Sequence, residues 1–480
     1  MARCRFRWAA CMLDTLRRHD PEDISKVLDE LPPALDETYA RALEKIPGEK
    51  QELAHYLFQC LVASVRPLRV EEVVEFLAAL PRRAAAVRPK KDRRRKDPED
   101  AAFSACSCLV TIVKDRDDEI VQFSHPSVNQ FLTSARLADL KGRNLSHYHV
   151  PLEPAHATVA HACLTALLQL NDKQEDPRVG GPPLALYAVE HWVTHAKFGN
   201  VATQPLIQSG MEGLFDANKP HFRAWIRLHD MDSDQEGGQT TGSVTERPWQ
   251  PTVTPLYYAV LCGLPSLVYN IISKRPEDIN ERGGYHRTPL HAALQKEDLA
   301  IAELLLEKGA VVDARDKFNW RPLEKVLDDQ HVESLRLLLK YKASANALDQ
   351  YHWTPLRRAS ASGQVEVVRL LLQHGAQINA ADALGWTPLH LASIKGHEKV
   401  AQLLLVNAAN VNALTMGGFT PLYVASSRVH VDVVKVLLRF GADVRLRGIG
   451  NQSPLRVALS QFTERHFKVA QLLSGNFEGW

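Results

Sequence analysis

Gly385-Trp386-Thr387-Pro388-Leu389-His390-Leu391-Ala392 is the stretch whose reading decides the fold. Thr387 has the form of a helix N-cap, because its hydroxyl accepts one of the backbone N–H groups that a first turn leaves unpaired. Pro388 suits the first helical position, where a missing donor costs nothing and φ is already fitted to the helix. A leucine triplet, Leu403 to Leu405, follows 15 to 17 residues after that proline, and Gly396 falls between the two apolar runs. One unit therefore reads as helix, turn, helix, loop.

The proline recurs at Pro255, Pro289, Pro322, Pro355, Pro388, Pro421 and Pro454, spaced 34 residues once and then 33 five times. That period and signature are similar to ankyrin repeats, which predicts an α-solenoid of about seven repeats over 251–480. Gly263, Gly363 and Gly396 fall where first helices end, and Gly309, Gly375 and Gly441 where second helices end, as suits residues able to adopt the left-handed conformation. Apolar positions recur in register at Leu304 to Leu306, Leu337 to Leu339, Leu370 to Leu372, Leu403 to Leu405, and Leu437 with Leu438. No single helix pair buries such a stripe, whereas stacked neighbours do.

The copies differ. Arg321 replaces the capping Thr in the third and Ser453 in the seventh, and only His291 and His390 keep a His three residues after the cap. The first and last copies are the most degenerate, and the seventh, which runs out at Gly475 to Trp480, reads as an imperfect cap prone to fraying. A stack of this kind offers loop tips and first helices as one binding face. The row just before the cap reads Arg287, Trp320, Trp353, Trp386, Phe419, Gln452. Its four successive aromatics suit either an anchoring ladder for a protein partner or a set of rings that stack on one another to hold the loops. Tyr285, Phe318 and Tyr351, two residues earlier, are the better exposed candidates for contact.

Over 480 residues the formal net charge is +2, so no global field favours nucleic acid or acidic substrates. The seven cysteines form no CxxC pair and read as reduced, mostly buried thiols of a cytosolic protein. No stretch approaches 18 apolar residues, so no membrane contact is expected. Arg3, Arg5 and Arg7 before Trp8 to Leu13 mimic a targeting peptide, yet Asp14 interrupts the short apolar run and an interior helix is the better reading.

The N-terminal half is mainly α as well. Phe6-Arg7-Trp8-Ala9 and Leu31-Pro32-Pro33-Ala34-Leu35-Asp36-Glu37-Thr38-Tyr39 resemble the tail of the NACHT module in fungal NOD-like (STAND) receptors, giving a helical remnant over 1–47. The resemblance continues over 48–145. There helices at Gln51 to Val65 and from Arg66, strands at Val110 to Val113 and Ile120 to Phe123, and Phe123-Ser124-His125-Pro126-Ser127-Val128 look like the winged-helix domain named after GPI inositol-deacylase. A helical linker over 146–229, with Tyr187-Ala188-Val189-Glu190-His191-Trp192-Val193 as a further receptor-like word, and an acidic hinge over 230–250 complete the order. What the resemblance implies is a cytoplasmic or nuclear sensor module whose ankyrin face binds a protein ligand without catalysis. The phosphate-cradling GxxxxGK[ST] motif is absent, so the nucleotide-driven oligomerisation of that family is not carried over. A fragment of a longer nucleotide-driven signalling ATPase is one alternative.

Other chemistry is thinly signalled. His191 and His195 have the i, i+4 spacing of a zinc pair but no third ligand, and the set His147, His149, His156, His161 and Cys163 matches no zinc-site spacing. Ser124 and Ser127 around His125 read as helix caps rather than nucleophiles, and Cys106 and Cys108 as packing. No catalytic residue, cofactor or metal is expected. The basic insert over 82–100, with Lys90, Lys91, Arg93, Arg94, Arg95 and Lys96, has the composition of a solvated loop, an import signal or an anion-binding arm. With the winged helix it supports the other alternative, a nucleic-acid-binding regulator, which ranks below protein recognition.

Overall fold

The computed structural model describes residues 35–79, 106, 108–115, 118–137, 145–170, 182–229, 254–283, 287–316, 318–448, 452–460 and 463–475. Most of the 1–47 remnant, the basic insert with Lys90, Lys91, Arg93, Arg94, Arg95 and Lys96, the 230–250 hinge and Tyr285 lie outside them. The chain divides into two compact units at Trp249 and Gln250.

The first unit contains helices α1 (Leu35–Glu44), α2 (Gly48–Ala63), α3 (Val70–Ala78), α4 (Pro126–Thr133), α5 (Leu152–Leu167), α6 (Pro183–Ala196), α7 (Pro205–Leu214) and α8 (Pro220–Leu228), with short strands β1 (Leu68–Arg69), β2 (Val110–Asp115) and β3 (Asp118–Phe123). The strands form an antiparallel sheet in the order β1-β3-β2, with Leu68 opposite Val121 and Ile112 opposite the same Val121 from the other side. The expected hairpin and the helices flanking it are thus present. One local expectation is corrected. Neither Ser124 nor Ser127 caps α4; the His125 ring accepts from the Ser127 N–H at 3.0 Å, while the Ser124 hydroxyl donates to the Leu109 carbonyl and Ser127 Oγ bonds Tyr39. An imidazole nitrogen is as good an acceptor here as a hydroxyl, and it frees both serines to tie α4 to its neighbours.

Buried charge fixes the start of α3. The Arg66 guanidinium forks onto Glu72 with contacts of 2.9 and 2.6 Å, and Glu72 also accepts from the Arg69 N–H at 2.8 Å, which satisfies one orphan donor of the helix. Further along, Trp192, Phe215, Phe222 and Trp225 form an aromatic cluster, with the Trp192 and Trp225 centroids 5.6 Å apart and the Trp225 indole N–H donating to the Val189 carbonyl.

In the second unit the seven helix pairs fall where the proline register puts them: α9 (Pro255–Cys262) with α10 (Pro265–Lys274), α11 (Pro289–Gln295) with α12 (Leu299–Glu307), α13 (Pro322–Asp329) with α14 (Val332–Lys340), and α15 (Pro355–Ser362) with α16 (Val365–Gln373). There follow α17 (Pro388–Lys395) with α18 (Glu398–Val406), α19 (Pro421–Ser427) with α20 (Val431–Arg439), and α21 (Pro454–Ala458) with α22 (Glu464–Gly475). The hydroxyls of Thr288, Thr354, Thr387, Thr420 and Ser453 accept from the backbone N–H three residues on. Where Arg321 stands instead, Glu324 reaches back to accept from the Arg321 N–H at 3.3 Å. Each first helix packs on the first helix of the next repeat, and each second helix on the next second helix.

Two periodic side-chain ladders bind these layers. Asn280, Asp313, Asn346, Asn379 and Asn412 each accept from a backbone N–H 31 residues on, in Val311, Ser344, Gln377, Asn410 and Asp443, at 2.7 to 3.2 Å. At the other edge, the His397 and His430 rings donate from Nε2 to the Ala361 and Ile394 carbonyls at 3.0 Å, and Gln364 donates to Leu327. These rings lie over Gly363 and Gly396, where φ is +75° and +78° and an added Cβ would come within 2.7 Å of the imidazole. Glycine is required there on two counts, backbone hand and space.

Removing one rung of the amide ladder tests its weight. Asn379→Ala should lower the unfolding free energy by about 1 kcal/mol, the usual net worth of one such bond. Gln402→Ala, on the exposed side of α18, should stay within about 0.5 kcal/mol. Urea titration followed by circular dichroism reads the difference.

Candidate functional site

The candidate face is built from the hairpins that precede each first helix. In each described hairpin the chain closes on itself through a backbone bond: Asp316 N–H to the Trp320 carbonyl, Asp349 to Trp353, Asp382 to Trp386, and Thr415 to Phe419. The same first residue then holds the turn from inside. Asp316 accepts from the Phe318 and Trp320 N–H groups, Asp349 from Tyr351 and Trp353, and Asp382 from Leu384 and Trp386, all within 2.9 Å. The turn also needs one left-handed residue, supplied by Asn319, His352, Gly385 and Gly418. Adjacent hairpins are tied together, since the Met416 N–H donates to the Leu384 carbonyl at 2.9 Å and the Arg321 guanidinium to the Leu348 carbonyl at 2.9 Å.

This geometry separates two roles among the expected contact residues. Trp320, Trp353, Trp386 and Phe419 are half-buried, and each ring lies against a first helix. Arg357 sits over Trp353 at 4.8 Å, Arg358 over Trp320 at 5.4 Å, His390 meets Trp386 edge-on, and Tyr423 lies 4.8 Å from Phe419. Among the described residues no two of the four rings touch one another, so the expected mutual stacking is replaced by contact with the helices. Arg287 is likewise half-buried and donates to Gln295 at 2.8 Å. The tips are different: Phe318 is 48% exposed and Tyr351 64%. Leu384, at 60%, continues their 33-residue register, and Leu348, Leu414 and Met416 are exposed beside it. These four were not singled out from sequence, although Leu384 is one period beyond Tyr351.

Below the tips, one register position decides how each repeat grips the next. His390 accepts at Nδ1 from the Thr387 N–H, which leaves its Nε2–H to donate to the Phe419 carbonyl at 3.0 Å. His291 makes the equivalent bond to Trp320 at 3.2 Å. In the fourth repeat a buried Arg357 takes this place, donating to the His352 carbonyl and pairing with Asp382 at 2.6 Å. Arg358 pairs with Asp349 at 2.7 Å and with Asp328. Burial holds the His291 pKa down at about 4, against an upward pull from its bond to Trp320 and from Asp316, and burial lowers His390 in the same direction.

In the first unit His156 and His195 belong to one hydrogen-bonded chain. The Val65 N–H donates to the Tyr187 hydroxyl, which leaves that hydroxyl to donate to His195 Nε2 at 2.8 Å, and His195 Nδ1–H to donate to His156 at 2.9 Å. Both nitrogens of the buried His195 are therefore engaged, and burial lowers its pKa to about 3. His191 lies edge-on to Tyr187 and 3.6 Å from Glu190. Among the described residues no three His, Cys, Asp or Glu side chains converge as metal ligands. Cys60, Cys106, Cys163 and Cys262 are buried thiols outside any disulfide, and Cys108 is exposed. No helix among the described residues is long and apolar enough to cross a membrane.

Comparison with known proteins agrees with the fold of the second unit. Family profiles described as "Ankyrin repeats (many copies)" match residues 323–372, 358–405 and 404–458, and one described as "Ankyrin repeat" matches 285–317. The C-terminal unit is thus an ankyrin-repeat solenoid. A curated relative is the azaphilone pigments biosynthesis cluster protein L of Monascus ruber, 28% identical over 316 residues, which are 62% of this chain and 64% of that protein. The chain thus spans under two thirds of that relative's length. Among solved structures, the ankyrin repeat domain of Bcl-3, a member of the IkappaB family, is 31% identical, with 46% of this chain and 98% of that one covered and a TM-score of 0.42.

Two outcomes follow from the division between tip and anchor. Trp353→Ala should cost about 3 kcal/mol of stability, as for other packed aromatic deletions, while Tyr351→Ala should stay within about 0.5 kcal/mol; thermal and urea unfolding of the two variants check this. The second concerns pH. The folded His291 value lies below the ordinary 6.5, so the unfolded chain takes up the proton first as pH falls. Its contribution is complete above about pH 6.5 and is lost towards pH 4, at up to ~1.4 kcal/mol per pH unit. His291→Gln should flatten the fall in urea midpoint between pH 6.5 and 5 relative to wild type.

Proposed function

We propose that this chain is a protein-recognition module: the hairpin tips and first helices of the ankyrin stack grip a protein ligand, and the chain catalyses no reaction of its own. The observation that carries this reading is the row of large apolar tips, Phe318, Tyr351, Leu384 and Met416, held out in solvent on turns that Asp316, Asp349, Asp382 and Thr415 brace from within. Rigid, exposed apolar side chains lose little entropy on contact and are the kind of group that dominates protein interfaces.

The first unit is read as the winged helix and helical linker of a fungal NOD-like receptor, acting in the cytoplasm or nucleus to relay or restrain the sensor. Support comes from the receptor-like words in the sequence and from the order helix, short strand, helix, hairpin, helix over 48–133. The similarity to a Monascus ruber protein is in keeping with a fungal setting.

A photo-reactive phenylalanine derivative placed at position 351 or 384 should cross-link the same cellular protein, with competition by unlabelled wild-type chain and none by Tyr351→Ala. Position 406, where Val406 is exposed at the end of α18, serves as the control. Cross-linking of the same proteins from 406, or none from the tips, would remove this reading.

A further inference from the structure

The charge on the face of the second unit is uneven in a way that the chain total of +2 conceals. On the hairpins and first helices of the third to fifth repeats the carboxylates are consumed internally. Asp382 pairs with Arg357, Asp349 and Asp328 with Arg358, and Asp329 with Lys325 at 3.0 Å. At the ends of the first helices, the 33-residue register runs Lys296, Asp329, Ser362, Lys395, Arg428. Lys296, Lys395 and Arg428 are exposed. Asp329, the one acid of the row, is already neutralised by Lys325.

Arg445, in the loop after α20, adds another exposed cation. On the hairpins and first helices of the fifth and sixth repeats the exposed charges are thus Lys395, Arg428 and Arg445, while Asp443 accepts from the Arg445 N–H and the exposed Glu398 stands on the second helix α18. Those repeats also carry the exposed Leu384, Leu414 and Met416, with Met416 hydrogen-bonded to the neighbouring tip.

We infer that this face takes an acidic segment of a partner protein, with aliphatic or aromatic side chains on the tips from Tyr351 to Met416 and carboxylates over Lys395 and Arg428. The inference rests on the protein-recognition reading above and adds to it the sign of the partner. Complementary rim charges raise the encounter rate and reject wrongly charged partners, while the apolar tips supply the contact that holds. A basic segment would set like charges against Lys395 and Arg428, and a second copy of the same face would do likewise.

Panning a random 16-residue peptide library against the full chain, and measuring the enriched peptides by fluorescence anisotropy, tests the sign directly. The enriched sequences should combine apolar residues with an excess of Asp and Glu. Their affinity should fall as salt is raised from 50 to 200 mM, because exposed charges are screened over about 10 Å. The double variant Lys395→Glu, Arg428→Glu should weaken them roughly tenfold or more through like-charge contact. Lys399→Glu with Lys435→Glu, on the second helices, should leave binding within twofold. An enriched pool that is neutral or basic, or affinity indifferent to the double reversal, overturns the inference. If Tyr351→Ala and Leu384→Ala abolish binding while the reversal does nothing, protein recognition stands and its acidic preference falls. Binding of a single-stranded 20-nucleotide DNA as tight as that of the peptides, and competitive with them, would assign the cations to a polyanion instead and overturn it too.

Discussion

A pair of helices of five to twelve residues cannot bury an apolar stripe by itself, and the stacking of the second unit follows from that shortage. Leu305, Leu338, Leu371, Leu404 and Leu437 are buried because the next repeat covers them. Burial of leucines alone is non-directional and would let neighbouring layers slide. Direction comes from polar groups at both edges of the stack. The Asn and Asp ladder from Asn280 to Asn412 fixes one edge, and the rings of His397 and His430 fix the other by bonding a carbonyl across the repeat boundary. Both use the same period as the leucines, so register is specified by apolar and polar groups in agreement.

The proposed binding face depends on that register being exact from repeat to repeat. A tip such as Tyr351 is presented by a turn that Asp349 holds, and Asp349 is itself pinned by Arg358 from the following first helix. The His390 ring reaches the carbonyl of Phe419, the residue that ends the next hairpin. The exposed tips are therefore positioned by the first helix that follows each hairpin and by neighbouring repeats, and the half-buried Trp353 is part of the mounting, with Arg357 over its ring. Position by position, the same 33-residue unit separates groups that hold from groups that touch.

Much of this was legible because the constraints are local. Thr-Pro caps, left-handed glycines and leucine triplets announce helix ends and core positions through short-range chemistry, and the seven helix starts fall where the prolines stand. The aromatic row was legible as a row but not in its role, since a Trp before a cap reads the same whether it faces a partner or an Arg from its own stack. The Asn ladder carries a clean periodic signal at 280, 313, 346, 379 and 412, yet its partners lie 31 residues on, beyond what a single unit reveals. In the first unit, His125 as the cap of α4 was hidden by two serines with stronger capping preference.

The histidines show how one residue type is sorted by its surroundings. In His195 both ring nitrogens are engaged by Tyr187 and His156, and in His390 one accepts from Thr387 while the other donates to Phe419. An imidazole with no free lone pair serves neither as a metal ligand nor as a general base. The same bonds need the neutral ring, since a second proton would turn an acceptor into a donor facing a donor, and burial already disfavours the charge. His195 is thus a hydrogen-bonded strut, while His191 lies edge-on to Tyr187 beside Glu190. On the outside of the stack stand the exposed tips and, at the ends of the first helices, Lys395 and Arg428.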